Sequence, residues 1–90
     1  MTISFDGDFK QALLLILDTI TSDKISAAVK FQKELYAKIS LLKEQPYMHR
    51  RSIYFSDDSY RDMVHYGYTI TYRVIDKRIL VLEIFKWIDR

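Results

Sequence analysis

The stretch Tyr68-Thr-Ile-Thr-Tyr-Arg-Val-Ile-Asp-Lys-Arg-Ile-Leu-Val-Leu-Glu-Ile-Phe-Lys-Trp87 decides how this chain folds. From Tyr68 to Ile75 the residues alternate. Tyr68, Ile70, Tyr72 and Val74 fall on one face, and Thr69, Thr71 and Arg73 on the other. A period of two belongs to a strand. Asp76-Lys77 supplies a tight turn, and Arg78 to Trp87 returns as the next strand. Within it, Ile79 to Leu82 is an unbroken apolar run, which predicts a central strand covered on both faces.

Upstream, Tyr60 to Tyr66 reads as another strand, closed by Gly67, and Ser56-Asp57-Asp58-Ser59 as the turn before it. Ser52 to Phe55 is expected to be a further short strand. Pro46 marks a change of character: six of the seven tyrosines lie beyond it. The residues before it carry a helical period instead. A first helix is expected from about Asp8 to Ile20, with Phe9, Leu13, Ile16, Leu17 and Ile20 on one face. Leu14 and Leu15 widen that face and predict cover on more than one side. Asp6 or Asp8 is its expected cap. A second helix is expected from about Asp23, its cap, to Glu44. Its stripe is read as Ile25, Ala28, Val29, Gln32, Leu35, Tyr36, Ile39 and Leu42. So short a turn folds the two helices back as an antiparallel hairpin. Met1, Ile3 and Phe5 alternate with Thr2 and Ser4 as a half-buried N-terminal strand.

The expected fold class is therefore α+β. An N-terminal strand and a two-helix antiparallel hairpin pack on one face of a small, mainly antiparallel sheet. Ninety residues suit a single domain over 1–90. An apolar share of 49% with two glycines and one proline describes an ordered chain. There is no cysteine, which excludes disulfides and thiolate metal sites. Ala12 to Leu17 is apolar but too short to span a bilayer, so a soluble, cytoplasmic protein without membrane contact is expected.

Chemistry is sparse. Two glycines allow no phosphate-cradling loop, and the histidines, His49 and His65, form no metal-binding spacing. No cofactor and no small-molecule substrate are expected. Ser52, Ser56 and Ser59 have no evident base beside them. The net charge of +2 is small, but all six arginines lie in the second half. Arg50, Arg51, Arg61, Arg73 and Arg90, with His49, Tyr54, Tyr60, Tyr66, Lys86 and Trp87, form a basic–aromatic set. Such a set grips RNA by phosphate contact and stacking. The ordinary reading is that the arginines brace loops through ion pairs and the tyrosines pack on the sheet.

The order of these pieces resembles toxins of the RelE/ParE family. The resemblance lies in Asp18-Thr-Ile-Thr-Ser-Asp-Lys-Ile-Ser-Ala-Ala-Val-Lys-Phe31 followed by Leu35, Ile39, Leu42 and Pro46. It continues in Tyr60-Arg61-Asp62-Met63-Val64, in Gly67-Tyr68-Thr-Ile-Thr-Tyr72-Arg73-Val-Ile-Asp76, and in Val81-Leu-Glu-Ile-Phe-Lys-Trp-Ile-Asp-Arg90. The resemblance implies a toxin of a type II toxin–antitoxin pair, bound by a cognate antitoxin. One branch of the family cleaves mRNA on the ribosome, and the other poisons DNA gyrase. The cleaving branch tends to carry arginine where this chain has Thr69, and a basic residue where it has Met63. The Ser26-Ala27-Ala28 hairpin looks closer to the gyrase-poisoning, ParE-like branch. Under that reading the protein is not an enzyme. Under the alternative it is an endoribonuclease using Arg61, His65, Arg73 and Lys86; a third possibility is an inactive relative that only binds its partner. The residues expected to meet target or antitoxin are Arg50, Arg51, Tyr60, Arg61, Arg73, Trp87 and Arg90.

Overall fold

The computed structural model describes residues 1–86. The elements are β1 (Thr2–Phe5), α1 (Gly7–Asp23), α2 (Ile25–Leu41), β2 (Arg50–Arg51), β3 (Tyr60–His65), β4 (Tyr68–Ile75) and β5 (Arg78–Lys86). They form one five-stranded sheet in the order β1-β5-β4-β3-β2. β1 runs parallel to β5, and every other pair is antiparallel. The helical hairpin covers one face. Phe9 and Leu13 of α1 and Phe31, Leu35 and Ile39 of α2 meet Met63, Ile70, Tyr72, Val74, Ile79, Val81 and Ile84 of the sheet. The α+β arrangement is the one expected.

A bulge sets which face each residue of β5 takes. Tyr72 pairs with Val81 but Thr71 with Glu83, so Leu82 is the extra residue. Ile79 and Val81 therefore face the helices before it, and Ile84 after it. β5 is interior, between β1 and β4, as its apolar run implies, but it is not buried on both faces: Ile79 and Val81 are buried against the helices, while Leu80 and Leu82 on the other face are half-buried. The β3–β4 turn is Tyr66-Gly67, both with positive φ (49° and 81°), the signature of a type I′ hairpin.

Several local expectations are corrected. Asp6 caps α1, its carboxylate accepting from Asp8 N at 3.0 Å. The helix runs on through Asp23, so Asp23 caps nothing. Lys24, extended at φ −158°, joins the two helices and gives α2 no side-chain cap. Leu14 and Leu15 are exposed, because only the Phe9–Leu13 face meets the sheet and α2. The buried stripe of α2 is Ala28, Phe31, Leu35 and Ile39, continued by Leu42; Ile25, Val29 and Gln32 face outward. Phe31 turns the helix that way, since its ring meets His65 at 4.7 Å and Tyr68 at 5.5 Å, both edge-on. The strand expected at Ser52–Phe55 is instead the two-residue β2 at Arg50–Arg51. Beyond Ser52 the amides leave the ladder for side chains: Ile53 N donates to Asp62 Oδ2 and Tyr54 N to Ser52 Oγ. Trp87 and Arg90 lie outside the described residues.

Candidate functional site

The sheet face away from the helices is built around a buried carboxylate. Alternation along β3 turns Asp62 away from the core, where it is 2% exposed. Its Oδ1 accepts from Thr71 Oγ1 at 2.9 Å, and its Oδ2 from Ile53 N at 3.3 Å. Arg50, half-exposed, adds the counter-charge at 3.7 Å. These bonds draw the Ser52–Phe55 segment over the sheet, where Tyr54 meets Phe85 edge-on at 5.3 Å and Phe55 stacks on Tyr60 at 4.0 Å.

The rest of the connection from Pro46 to Ser59 is tied down by arginines and one tyrosine. Arg61 lies over the Tyr47 ring at 4.8 Å and donates to His49 O and Asp58 O. Arg73 lies over the Tyr60 ring at 4.8 Å, donates to Ser59 Oγ and pairs with Asp57. Arg51 pairs with Asp58. Tyr72 donates its hydroxyl to Pro46 O at 2.8 Å, and burial pushes its pKa up to about 12. Asp57 accepts from Ser59 N, which holds its carboxyl below the ordinary value.

Arg50, Arg51, Tyr60, Arg61 and Arg73 thus do gather around one loop, but the charges of the four arginines are met by acids, carbonyls and rings of the same chain. The four residues of the endoribonuclease alternative do not converge. Arg61 pairs with the core residue Tyr72, so it lies on the helix side of the sheet, and the adjacent position of Tyr72, Arg73, lies on the other. His65 stands four residues along β3 from Arg61, about 13 Å away at strand rise. It is 1% exposed, with Nε2 donating to Phe31 O at 3.0 Å and Nδ1 buried without a partner among the described residues. Burial, the largest influence, holds its pKa below the usual histidine value. Lys86 is exposed beside Tyr68 at the far end of β4. Tyr66, in the hairpin turn, donates its hydroxyl to Glu34 of α2.

A recess of about 340 Å³ opens beside β1, lined by Met1, Thr2, Ile3, Phe5, Tyr36, Ile39, Ser40 and Lys43. Among the described residues, no helix is long and apolar enough to cross a membrane.

The model of the family described as "ParE toxin of type II toxin-antitoxin system, parDE" matches residues 3–86. This chain belongs to the ParE toxin family. Membership carries with it a toxin–antitoxin pairing, and so a cognate antitoxin. The fold agrees. A solved structure, the chromosomal ParDE toxin–antitoxin system from P. aeruginosa, superposes with a TM-score of 0.78 over 96% of this chain and 95% of that one, at 18% identity. No curated protein matches the sequence. For this ParE-family chain, sequence reasoning missed Asp62 as the organiser of the outer face. The signal was present: on a strand, Asp62 shares a face with Tyr60 and Val64, away from Met63.

Proposed function

We propose that the chain is a ParE-type toxin that arrests growth in the cytoplasm by inhibiting DNA gyrase through protein–protein contact, and that a cognate antitoxin neutralises it. One observation carries the choice of inhibition over RNA cleavage: the sheet separates Arg73 from Arg61 and His65. Cleavage by orienting RNA and stabilising charge needs cationic groups aimed at one point. Here the guanidiniums brace a loop instead.

An open edge supports the antitoxin half of the reading. Thr2 N donates to Lys77 O and Asp6 N to Val81 O. Alternation along a parallel ladder then turns the amides of Ile3 and Phe5 outward. β1 carries no proline or lysine to blunt that edge. Among the described residues, the recess beside it is lined by Lys43 and by no acid. An extended segment with one apolar side chain and acidic neighbours fits such an edge.

Supercoiling by purified gyrase tests the reading. Added toxin is expected to stop supercoiling, and co-purified antitoxin to restore it; unchanged supercoiling with active toxin present sinks it. Primer extension on translated mRNA is expected to show no new ends. New ends that vanish with Arg61→Ala would move the reading to the endoribonuclease.

A further inference from the structure

The connection between α2 and β3 holds a concentration of exposed apolar side chains. Ile53 is 65% exposed, Tyr54 48% and Phe55 40%, with Tyr47 and Met48 also open. We propose that this crest, Ile53-Tyr54-Phe55, is the surface that meets the target protein; the inference rests on the reading of the chain as a protein-inhibiting toxin.

The crest is tied to the sheet without any partner. The amides of Ile53 and Tyr54 are held by Asp62 and Ser52, and Ser52 N donates in turn to Tyr60 O. Tyr54 and Phe55 each spend part of their ring area on Phe85 and Tyr60 and leave the rest wet. A pre-ordered aromatic surface loses little entropy on docking. The residues between Pro46 and Ser59 include aromatics, methionine and arginines but no lysine or glutamate, the composition of an interface core.

Charge selects the occupant. Arg50 and Arg51 are balanced in this connection by Asp57 and Asp58, so it is formally neutral. Nucleic acid binding needs an uncompensated positive field. A protein recess that is apolar at its centre, with carboxylates at its margin, fits better. With their pairs to Asp62 and Asp58 kept, the Arg50 and Arg51 side chains are still 49% and 61% exposed and present further N–H donors to that margin. The crest is also distinct from the open edge at β1. The crest lies over the sheet face away from the helices, where Tyr54 meets Phe85, whereas the recess beside β1 is lined by Tyr36, Ile39 and Ser40 of α2 on the helix side.

The test compares Ile53→Asp with Leu41→Asp, a comparably exposed apolar position on α2. Each is measured for half-inhibition of gyrase supercoiling, for antitoxin co-purification and for thermal melting. Ile53→Asp is expected to raise the half-inhibitory concentration at least about tenfold, as loss of an interface anchor does. Leu41→Asp is expected to leave it unchanged, and both variants to retain the antitoxin. Equal inhibition by Ile53→Asp overturns the inference, as does loss of antitoxin capture by that variant. Ile53→Ser covers the case in which the aspartate unfolds the chain. The same direction is expected of it, and wild-type inhibition by Ile53→Ser overturns the inference too. Should wild-type protein leave supercoiling untouched, the gyrase reading fails by itself and growth arrest becomes the readout. Relief of arrest by Ile53→Asp then upholds the crest, and full arrest overturns it.

Discussion

Asp62 and His65 are the two buried ionisable residues on β3, and they serve opposite faces of the sheet. Asp62 is fully hydrogen-bonded. Asp62→Ala leaves the Thr71 hydroxyl and the Ile53 amide without their acceptor, at an expected cost of about 1–3 kcal/mol in urea unfolding. The Ile53 and Tyr54 amides should lose hydrogen-exchange protection well before those of β4; protection retained at Ile53 would show that Asp62 is not the latch. His65 acts through its neutral form. Burial lowers its pKa, and Lys38 pushes the same way, while the Phe31 carbonyl and Glu34 pull back. The folded state therefore binds its proton less readily than the unfolded chain. Stability is full above the ordinary histidine value of 6.5 and falls as pH drops through it towards the lower folded value. His49, also lowered by burial, adds to the same trend. The urea midpoint should fall between pH 7.5 and 5.5, and less steeply for His65→Gln, which keeps a donor for Phe31 O. An equal slope in the variant would remove His65 from the account.

At the scale of elements, what the sequence shows depends on which residues determine the element. β4 and β5 are legible because alternation and an apolar run are local signals, and their hairpin holds where expected. The bulge at Leu82 is not, because it is a property of the pairing between two strands. The extent of the helices is close to that expected, but the buried face of α2 differs. Ile25 and Val29 are as apolar as the residues that are buried, and the face is chosen by contacts made on folding, among them those of Phe31 with His65 and Tyr68. Ser52–Phe55 carries a strand's composition, yet its amides are captured by Asp62 and Ser52, long-range and local partners that a period cannot reveal. The β3–β4 turn yields a further prediction. Gly67 has φ +81° and open space around its α-carbon. Gly67→Ala therefore meets no clash, only left-handed strain, and should cost about 1–2 kcal/mol. A variant as stable as wild type would mean that the turn relaxes to another form.

For the whole molecule, the candidate site is legible in its residue types and not in its arrangement. The arginines around Pro46–Ser59 stand out as a group in the sequence, but that they are spent on their own loop depends on acids brought close only by folding. The same holds for the open β1 edge, whose outward amides follow from the parallel register with β5. A small domain with an uncovered edge, exposed Leu14 and Leu15, and a modest core should gain stability from its partner. A ligand that binds only the folded state at 100 times its Kd adds about 2.7 kcal/mol. For a chain of this size that corresponds to a rise in Tm of roughly 10 °C or more. Cognate antitoxin should therefore raise the toxin's Tm by about that amount. Ile3→Pro removes one outward amide while leaving the inward bonds of Thr2 and Asp6. That variant should melt at its own lower temperature and show a smaller antitoxin-induced rise. Ile3→Ala, which keeps the outward amide but loses the same lining of the recess, is the control, and Ile3→Pro should show the smaller shift of the two. A full shift in Ile3→Pro would show that the antitoxin holds the toxin elsewhere than along β1.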